Sequence, residues 1–160
     1  MRELINFTLN SPQGANSHTV VFKQPLLIKP NSDIIVNSVN ISWNPVTGYL
    51  EDDFCILTDL PIKTFHAKGF EGQRGGAVED RVLIYVPPNQ NDADIADDPI
   101  AGVPAVAVRS YEPVQPVIHT MLNNELSLNS IHFQVVDAIN LAPRTDIESF
   151  TVTFTLSHDC

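Results

Sequence analysis

The sequence of 160 residues is poor in cysteine, glycine, tryptophan and basic residues, with 2, 7, 1 and 9 of them. Two cysteines cannot build a disulfide framework. Cys55 sits inside an apolar run and Cys160 stands last, where chains fray, so the expectation is one buried thiol and one unpaired thiol. There is no CxxC and no Cys/His pair at ligand spacing, which excludes a zinc site. No run approaches the roughly 18 apolar residues of a bilayer-spanning helix. The apolar stretch at the start, Met1-Arg2-Glu3-Leu4-Ile5-Asn6-Phe7, is too short for a signal peptide, so export by the standard route is not expected. The basic residues (Arg2, Lys23, Lys29, Lys63, Lys68, Arg74, Arg81, Arg109, Arg144) are scattered, and no two are adjacent. Gripping phosphates takes clustered Lys and Arg, so direct binding of nucleic acid or an anionic membrane is disfavoured. Charged residues make up 18% of the chain, against about 25% in ordinary soluble domains. Asn, Thr and Ser fill the deficit, which points to broad surfaces that neighbours cover.

What is present fits one domain over residues 1–160. A chain of this length hides roughly two-thirds of its unfolded surface, and 43% of its residues are hydrophobic. The net charge is −10 and the pI near 4.6. Hydrophobicity alternates with period two almost throughout. Phe150, Val152, Phe154 and Leu156 interleave with Thr151, Thr153 and Thr155, the pattern of a half-buried strand. Ile131, Phe133 and Val135 follow the same rule, as do Ile5, Phe7 and Leu9. In 33–43 it is kept by Ile35, Val39, Ile41 and Trp43, interrupted at Asn37. A run over 20–28 contains Pro25, which demands an edge position or a bulge. Runs at 54–58, 82–86 and 117–122 bring the total to eight strands. Twelve prolines leave little room for helix, and the best helical candidate is 121–128. The pattern therefore predicts an all-β sandwich or barrel. Two connections exceed hairpin length, a glycine-rich one over 66–80 and one over 87–116, in which Val106 and Val108 suggest a short extra strand.

Catalytic patterns are missing. The sequence has no GxSxG elbow and no glycine-rich phosphate loop. His18, His66, His119, His132 and His158 read as solvated strand or loop residues. Two acidic groups, Glu51-Asp52-Asp53 and Asp92/Asp94/Asp97/Asp98, invite a hard cation such as calcium. The second lacks the glycine and distal glutamate of an EF-hand loop, so a solvated acidic loop is the default. A sugar platform wants exposed aromatics on one face, whereas Trp43 falls in register with buried Val39 and Ile41, and Tyr49, Tyr85 and Tyr111 are dispersed. No catalytic residue, cofactor or metal is expected.

The order of segments carries a resemblance. Phe54-Cys55-Ile56-Leu57-Thr58-Asp59-Leu60-Pro61-Ile62 runs from a strand into a Leu-Pro corner, and Val82-Leu83-Ile84-Tyr85-Val86-Pro87-Pro88 follows. Ser110-Tyr111-Glu112-Pro113 then precedes another strand and Leu122-Asn123-Asn124. Next comes Leu128-Asn129-Ser130-Ile131-His132-Phe133-Gln134-Val135-Val136-Asp137-Ala138, and the Phe150–Leu156 strand ends the series. Over about 54–157 this resembles the single jelly-roll penton (minor capsid) proteins of Polinton-like viruses, virophages and related double-stranded DNA viruses. The resemblance implies an eight-stranded antiparallel jelly-roll β-sandwich without enzymatic activity. It also implies a place in the virion capsid, where a homopentamer closes each fivefold vertex against a double jelly-roll major capsid protein. The outward domain that many such proteins carry is not evident, which implies a bare vertex plug. Tyr111, Glu112 and Pro113 are the expected interface residues, with a turn that tucks Tyr111 against the core as the alternative. A lectin-like or cytokine-like sandwich that binds carbohydrate or protein is the rival reading. A cupin-type enzyme, which would need inward-facing His residues, trails both.

Overall fold

The computed structural model describes residues 2–44, 52–62, 64–67, 77–80, 82–88, 93–98, 103–121, 124–139 and 141–159. Among these there are twelve strands and no helix. They are β1 (Arg2–Asn10), β2 (Ser17–Ile28), β3 (Asp33–Trp43), β4 (Phe54–Thr58), β5 (Thr64–Ala67), β6 (Ala77–Asp80), β7 (Val82–Val86), β8 (Ala93–Asp98), β9 (Val103–Tyr111), β10 (Val117–Thr120), β11 (Leu126–Asp137) and β12 (Ile147–Asp159). All eight expected runs are strands. Of the other four, β5 runs into the first long connection, β6 and β8 lie within the two connections, and β9 contains the short extra strand suggested at Val106 and Val108. The best helical candidate, 121–128, is not helical among its described residues: Leu126 and Leu128 begin the period-two pattern of β11, and pairing with β2 outweighs two turns of weak helical spacing.

Every strand pair is antiparallel. One sheet runs β1-β12-β3-β9-β8, with β10 also on β3, and the other runs β2-β11-β4-β7. The pairs nest: β1 with β12, β2 with β11, β3 with β9 and β10, β4 with β7. A long antiparallel ribbon rolled so that alternate pairs fall in opposite sheets gives this order, which is the jelly-roll winding. The hairpin β5/β6 stands apart as a third, two-stranded sheet.

Bulges appear where the sequence breaks its own period. Leu128 pairs with Leu26 but Ser130 with Val21, so Phe22, Lys23, Gln24 and Pro25 stand opposite Asn129 alone. Pro25 thus lies in a bulge and on an edge strand, the two places where a residue without an N–H is tolerated. In β3 the register slips between Thr153 and Phe154, leaving Asn37 as the extra residue. One edge of β3 is shared, by β10 at Asp33–Val36 and by β9 at Val39–Trp43. The segment 112–116 leaves the sheet between them. At the turn after β1, Ala15 N–H reaches Pro12 O (3.3 Å) and Gly14 takes φ 75°, a left-handed position glycine occupies without strain.

The core lies between the two sheets. Ile34, Val36, Val39, Ile41 and Trp43 of β3 and Phe150, Val152, Phe154 and Leu156 of β12 meet Phe54, Ile56, Leu83, Val86, Ile131, Phe133 and Val135 from the opposite sheet. Phe154 stacks on Phe7 at 4.9 Å and meets Phe133 at 5.9 Å, while Trp43 packs edge-on to Phe54 at 5.1 Å. Such aromatic pairs contribute about 0.5–1.5 kcal/mol beyond the area they bury. A small satellite cluster of Cys55, Val136 and Ala138 sits on the outer side of the second sheet. Cys55 is buried and forms no disulfide among the described residues, and Cys160 lies outside them.

Candidate functional site

The outward side of the first sheet carries the chain's excess of Asn, Thr and Ser. The pairing register lines up Asn6 with Thr155, Thr8 with Thr153 and Asn10 with Thr151. It continues through Ser38 and Asn40 on β3 to Ser110 on β9. Side chains tie this face into a ladder. Thr151 Oγ1 donates to Asn10 Oδ1 (2.7 Å), and Thr155 Oγ1 donates to Asn6 Oδ1 (2.7 Å) while accepting from Asn37 Nδ2 (3.0 Å). Charge lies at its borders, where Arg2 pairs with Asp33 at 3.2 Å and where Glu112 and Glu148 stand. Isoleucines 35 and 118 lie opposite each other there, the second of them exposed.

Tyr111, Glu112 and Pro113 lie at the border of this face, where β9 leaves the sheet. Tyr111 pairs with Val39 and packs, partly buried, against the core. Glu112 is exposed and Pro113 half-buried, and the next residue, Val114, is wholly exposed at 101%. Tyr111 and Glu112 line a shallow depression of about 210 Å³ with Ser38, Asn40 and Ser110. A second depression of about 430 Å³ is lined by Ser11, Gln13, Ser42, Val106, Glu148 and Ser149. Both open on the outer side of the first sheet.

A charged cluster inside one end of the sandwich escaped the reading of the sequence. Arg109 is fully buried, its guanidinium 5.1 Å from the Trp43 ring and 5.4 Å from the Phe54 ring. It donates to the carbonyl oxygens of Asp52 and of Pro87, the latter at 3.1 Å. Arg144 lies over Phe54 at 4.8 Å and grips Asp146 with two hydrogen bonds, Nε–Oδ1 at 2.9 Å and Nη2–Oδ2 at 2.6 Å. Hydrogen bonding to the Asp146 carboxylate holds the Arg144 guanidinium above its ordinary pKa, against the opposing pull of burial. Asp52 Oδ2 accepts from Trp43 Nε1 (3.0 Å) and lies 3.5 Å from Arg144. The sequence held one usable sign: Arg109 occupies an inward register position between Ala107 and Tyr111.

The acidic groups separate. Asp52 belongs to this cluster, Asp53 accepts from the Tyr85 hydroxyl at 3.2 Å, and Glu51 lies outside the described residues. Asp94, Asp97 and Asp98 belong to strand β8 instead of a loop, and Asp92 lies outside the described residues. Among the described residues no three His, Cys, Asp or Glu gather as a metal site. The histidines correct the solvated expectation in part. His158 is buried at 4% exposure, with Nε2 2.9 Å from Glu3 Oε2 and Nδ1 without a partner. His119 Nε2 lies 2.6 Å from Leu83 O, and His132 Nδ1 lies 2.8 Å from Thr19 Oγ1.

No family model matches the chain, and no curated protein matches it. One solved structure that aligns with it is the "Structure of infectious bursal disease virus Gx strain". The identity is 12%, the coverage is 98% of this chain and 40% of that chain, and the TM-score is 0.18. A likeness that weak to a viral chain carries no argument about this one, and the alignment spans less than half of the viral chain.

Proposed function

We propose that this chain is a structural capsid protein, a penton subunit that closes the fivefold vertices of an icosahedral virion as a homopentamer. Around it would stand a double jelly-roll major capsid protein, and the role needs no catalysis, cofactor, membrane or nucleic-acid contact. The observation that supports this reading best is the uncharged ladder of Asn, Thr and Ser across β1, β12 and β3 on a molecule of net charge −10. Burying an unpaired charge against a neighbour costs several kcal/mol, and a permanent contact avoids that cost with neutral groups. Hydroxyls and amides already hydrogen-bonded to one another lose little further freedom when covered. Four strands about 4.8 Å apart, eight residues long at about 3.4 Å each, give a flat footprint of roughly 500 Å². That is the scale of a standard interface, about 800 Å² of accessible surface per partner. Tyr111, Glu112 and Pro113, with exposed Val114, would border this contact. The winding and the order of segments that resembles penton proteins favour the same role, although a fold alone does not fix one.

Sedimentation velocity and electron micrographs of the purified full chain test the reading. Rings of five are the expected result. A monomer that binds a glycan tightly through either depression would overturn it in favour of a lectin-like module.

A further inference from the structure

Among the described residues five strands present an open edge: β1, β8 and the four-residue β10 in the first sheet, β2 and β7 in the second. An edge presents unpaired N–H and C=O groups to any passing strand, and folded proteins normally blunt it with proline, lysine, bulges, inward charge or brevity. β2 carries Pro25, exposed Lys23 and the four-residue bulge. β7 is five residues long and runs into Pro87-Pro88. β8 has two register breaks against β9 and carries Asp94, Asp97 and Asp98. β1 has none of these interruptions. Its nine residues hold an unbroken register with β12, without proline, glycine or lysine. Ser11 N–H continues that ladder to Phe150 O at 2.8 Å. By the alternation of an antiparallel pair, the N–H and C=O groups of Leu4, Asn6, Thr8 and Asn10 therefore point to the free edge.

Two independent observations mark the same flank. The core beside β1 is incompletely closed: Ile5, Phe7 and Leu9, with Phe22 and Leu26 across from them, are only partly buried. Charge is also unevenly placed. Residues 1–33 hold Arg2, Lys23 and Lys29 against Glu3 and the Asp33 that pairs with Arg2, a balance of +1, which leaves −11 for the remainder. The flank formed by β1 and β2 is thus the basic side of an acidic molecule, while β8, the opposite edge of the same sheet, is acidic.

The geometry points to β1 as the docking edge for a second copy of this chain, which offers its acidic β8 edge. Sheet β1-β12-β3-β9-β8 then continues from copy to copy, and the incoming strand covers the open flank of Phe7 and Phe22. The contact joins two different edges, so it is heterologous and closes a ring only if the rotation between copies permits. A ring of five rests on the penton reading, whereas the contact itself rests on strand edges and charge.

Hydrogen exchange and sedimentation of the full chain decide it. In the assembled state the amides of Leu4, Asn6 and Thr8 gain protection that the dilute protein lacks, and association weakens as salt rises. Lys23→Glu with Lys29→Glu weakens self-association by about tenfold or more, and so does Asp94→Lys with Asp97→Lys. Combining all four substitutions restores it. A chain that stays monomeric up to its solubility limit, or charge variants that associate like the parent, overturn the contact. A twofold dimer indifferent to the β8 substitutions also overturns it, with β1 pairing on itself. A pentamer with freely exchanging β1 amides removes the edge contact but keeps the penton reading. A filament or a ring of another number, with those amides protected, does the reverse.

Discussion

The end of the sandwich around Arg109 and the flank along β1 and β2 solve opposite problems with similar material. At the first, Trp43 and Phe54 are wholly buried and enclose a guanidinium whose donors reach the carbonyls of Asp52 and Pro87. At the second, Phe7 and Phe22 meet at 6.3 Å but remain partly exposed, beside a strand edge that pairs with nothing among the described residues. Aromatic residues alone do not separate the two regions. The difference is whether the backbone and polar groups around them are satisfied within one copy. The closed end is built for the stability of a single chain, and the open flank has capacity for something further.

The comparison breaks most readily at Arg109. Arg109→Ala leaves two buried carbonyl groups without that donor and opens a space between two rings, so a loss of about 3–5 kcal/mol is expected in urea unfolding. Arg109→Met keeps most of the volume and the ring contacts, and about half that loss is expected. Equal losses for the two variants would mean that the charge, and not the packing, holds this end together.

A pair of phenylalanines sharpens the contrast. Phe133 is 1% exposed and Phe7 only partly buried, yet both pack near Phe154. Phe133→Ala is expected to cost about 3–5 kcal/mol and Phe7→Ala about 1–2, since the second removes less area from water. Self-association reverses the ranking. Phe7→Ala weakens it at a temperature where both variants are folded, and Phe133→Ala leaves it unchanged, as sedimentation velocity reads directly.

The outer ladder predicts a smaller effect. Thr155→Val keeps shape but removes the hydroxyl that links Asn6 to Asn37, and Thr155 is 8% exposed. A loss of about 1–2 kcal/mol is expected in thermal unfolding, because both amides lose a partner.

These regions were not equally legible in the sequence. The strands that became β1, β11 and β12 announce themselves because each buries one face and leaves the other polar, so the period of two is forced. In β3 the bulge at Asn37 turns Ile34 and Val36 inward, and Ile35 does not share the face of Val39, Ile41 and Trp43 as the pattern predicts. β8 stays hidden and β9 shows only as the short strand that Val106 and Val108 suggest, because acidic residues and prolines crowd 87–116 and the main-chain pairing that holds Ala93 to Val108 leaves no trace in hydropathy. Tyr111 stands out in the sequence as part of the segment that rejoins the sandwich, but Arg109, two residues before it, does not. A lone arginine reads as solvent-facing unless the inward parity of its strand is already known. His158 misled for a related reason: it follows Leu156 on the inward side of β12, yet its polarity suggested an open end. The β1 flank could not be ranked from sequence at all, since knowing which strand is an edge requires the sheet order.

The smallest expected effect concerns Tyr85, on the outer side of the second sheet beside Cys55 and Asp53. Burial first, and then the negative charge of Asp53 and its hydrogen bond, push the phenol above its ordinary pKa near 10. A raised folded value favours the neutral form, so whatever Tyr85 contributes to stability is complete below the unfolded value. It is lost as pH rises through the folded one. Ultraviolet titration of the folded protein should therefore show a late-ionising tyrosine that Tyr85→Phe removes. Asp53→Asn lowers its midpoint only part of the way, because burial, the larger cause, is untouched. A midpoint that returned fully to the ordinary value in Asp53→Asn would show instead that the carboxylate alone perturbs this group. That surface would then be as open to water as the flank along β1.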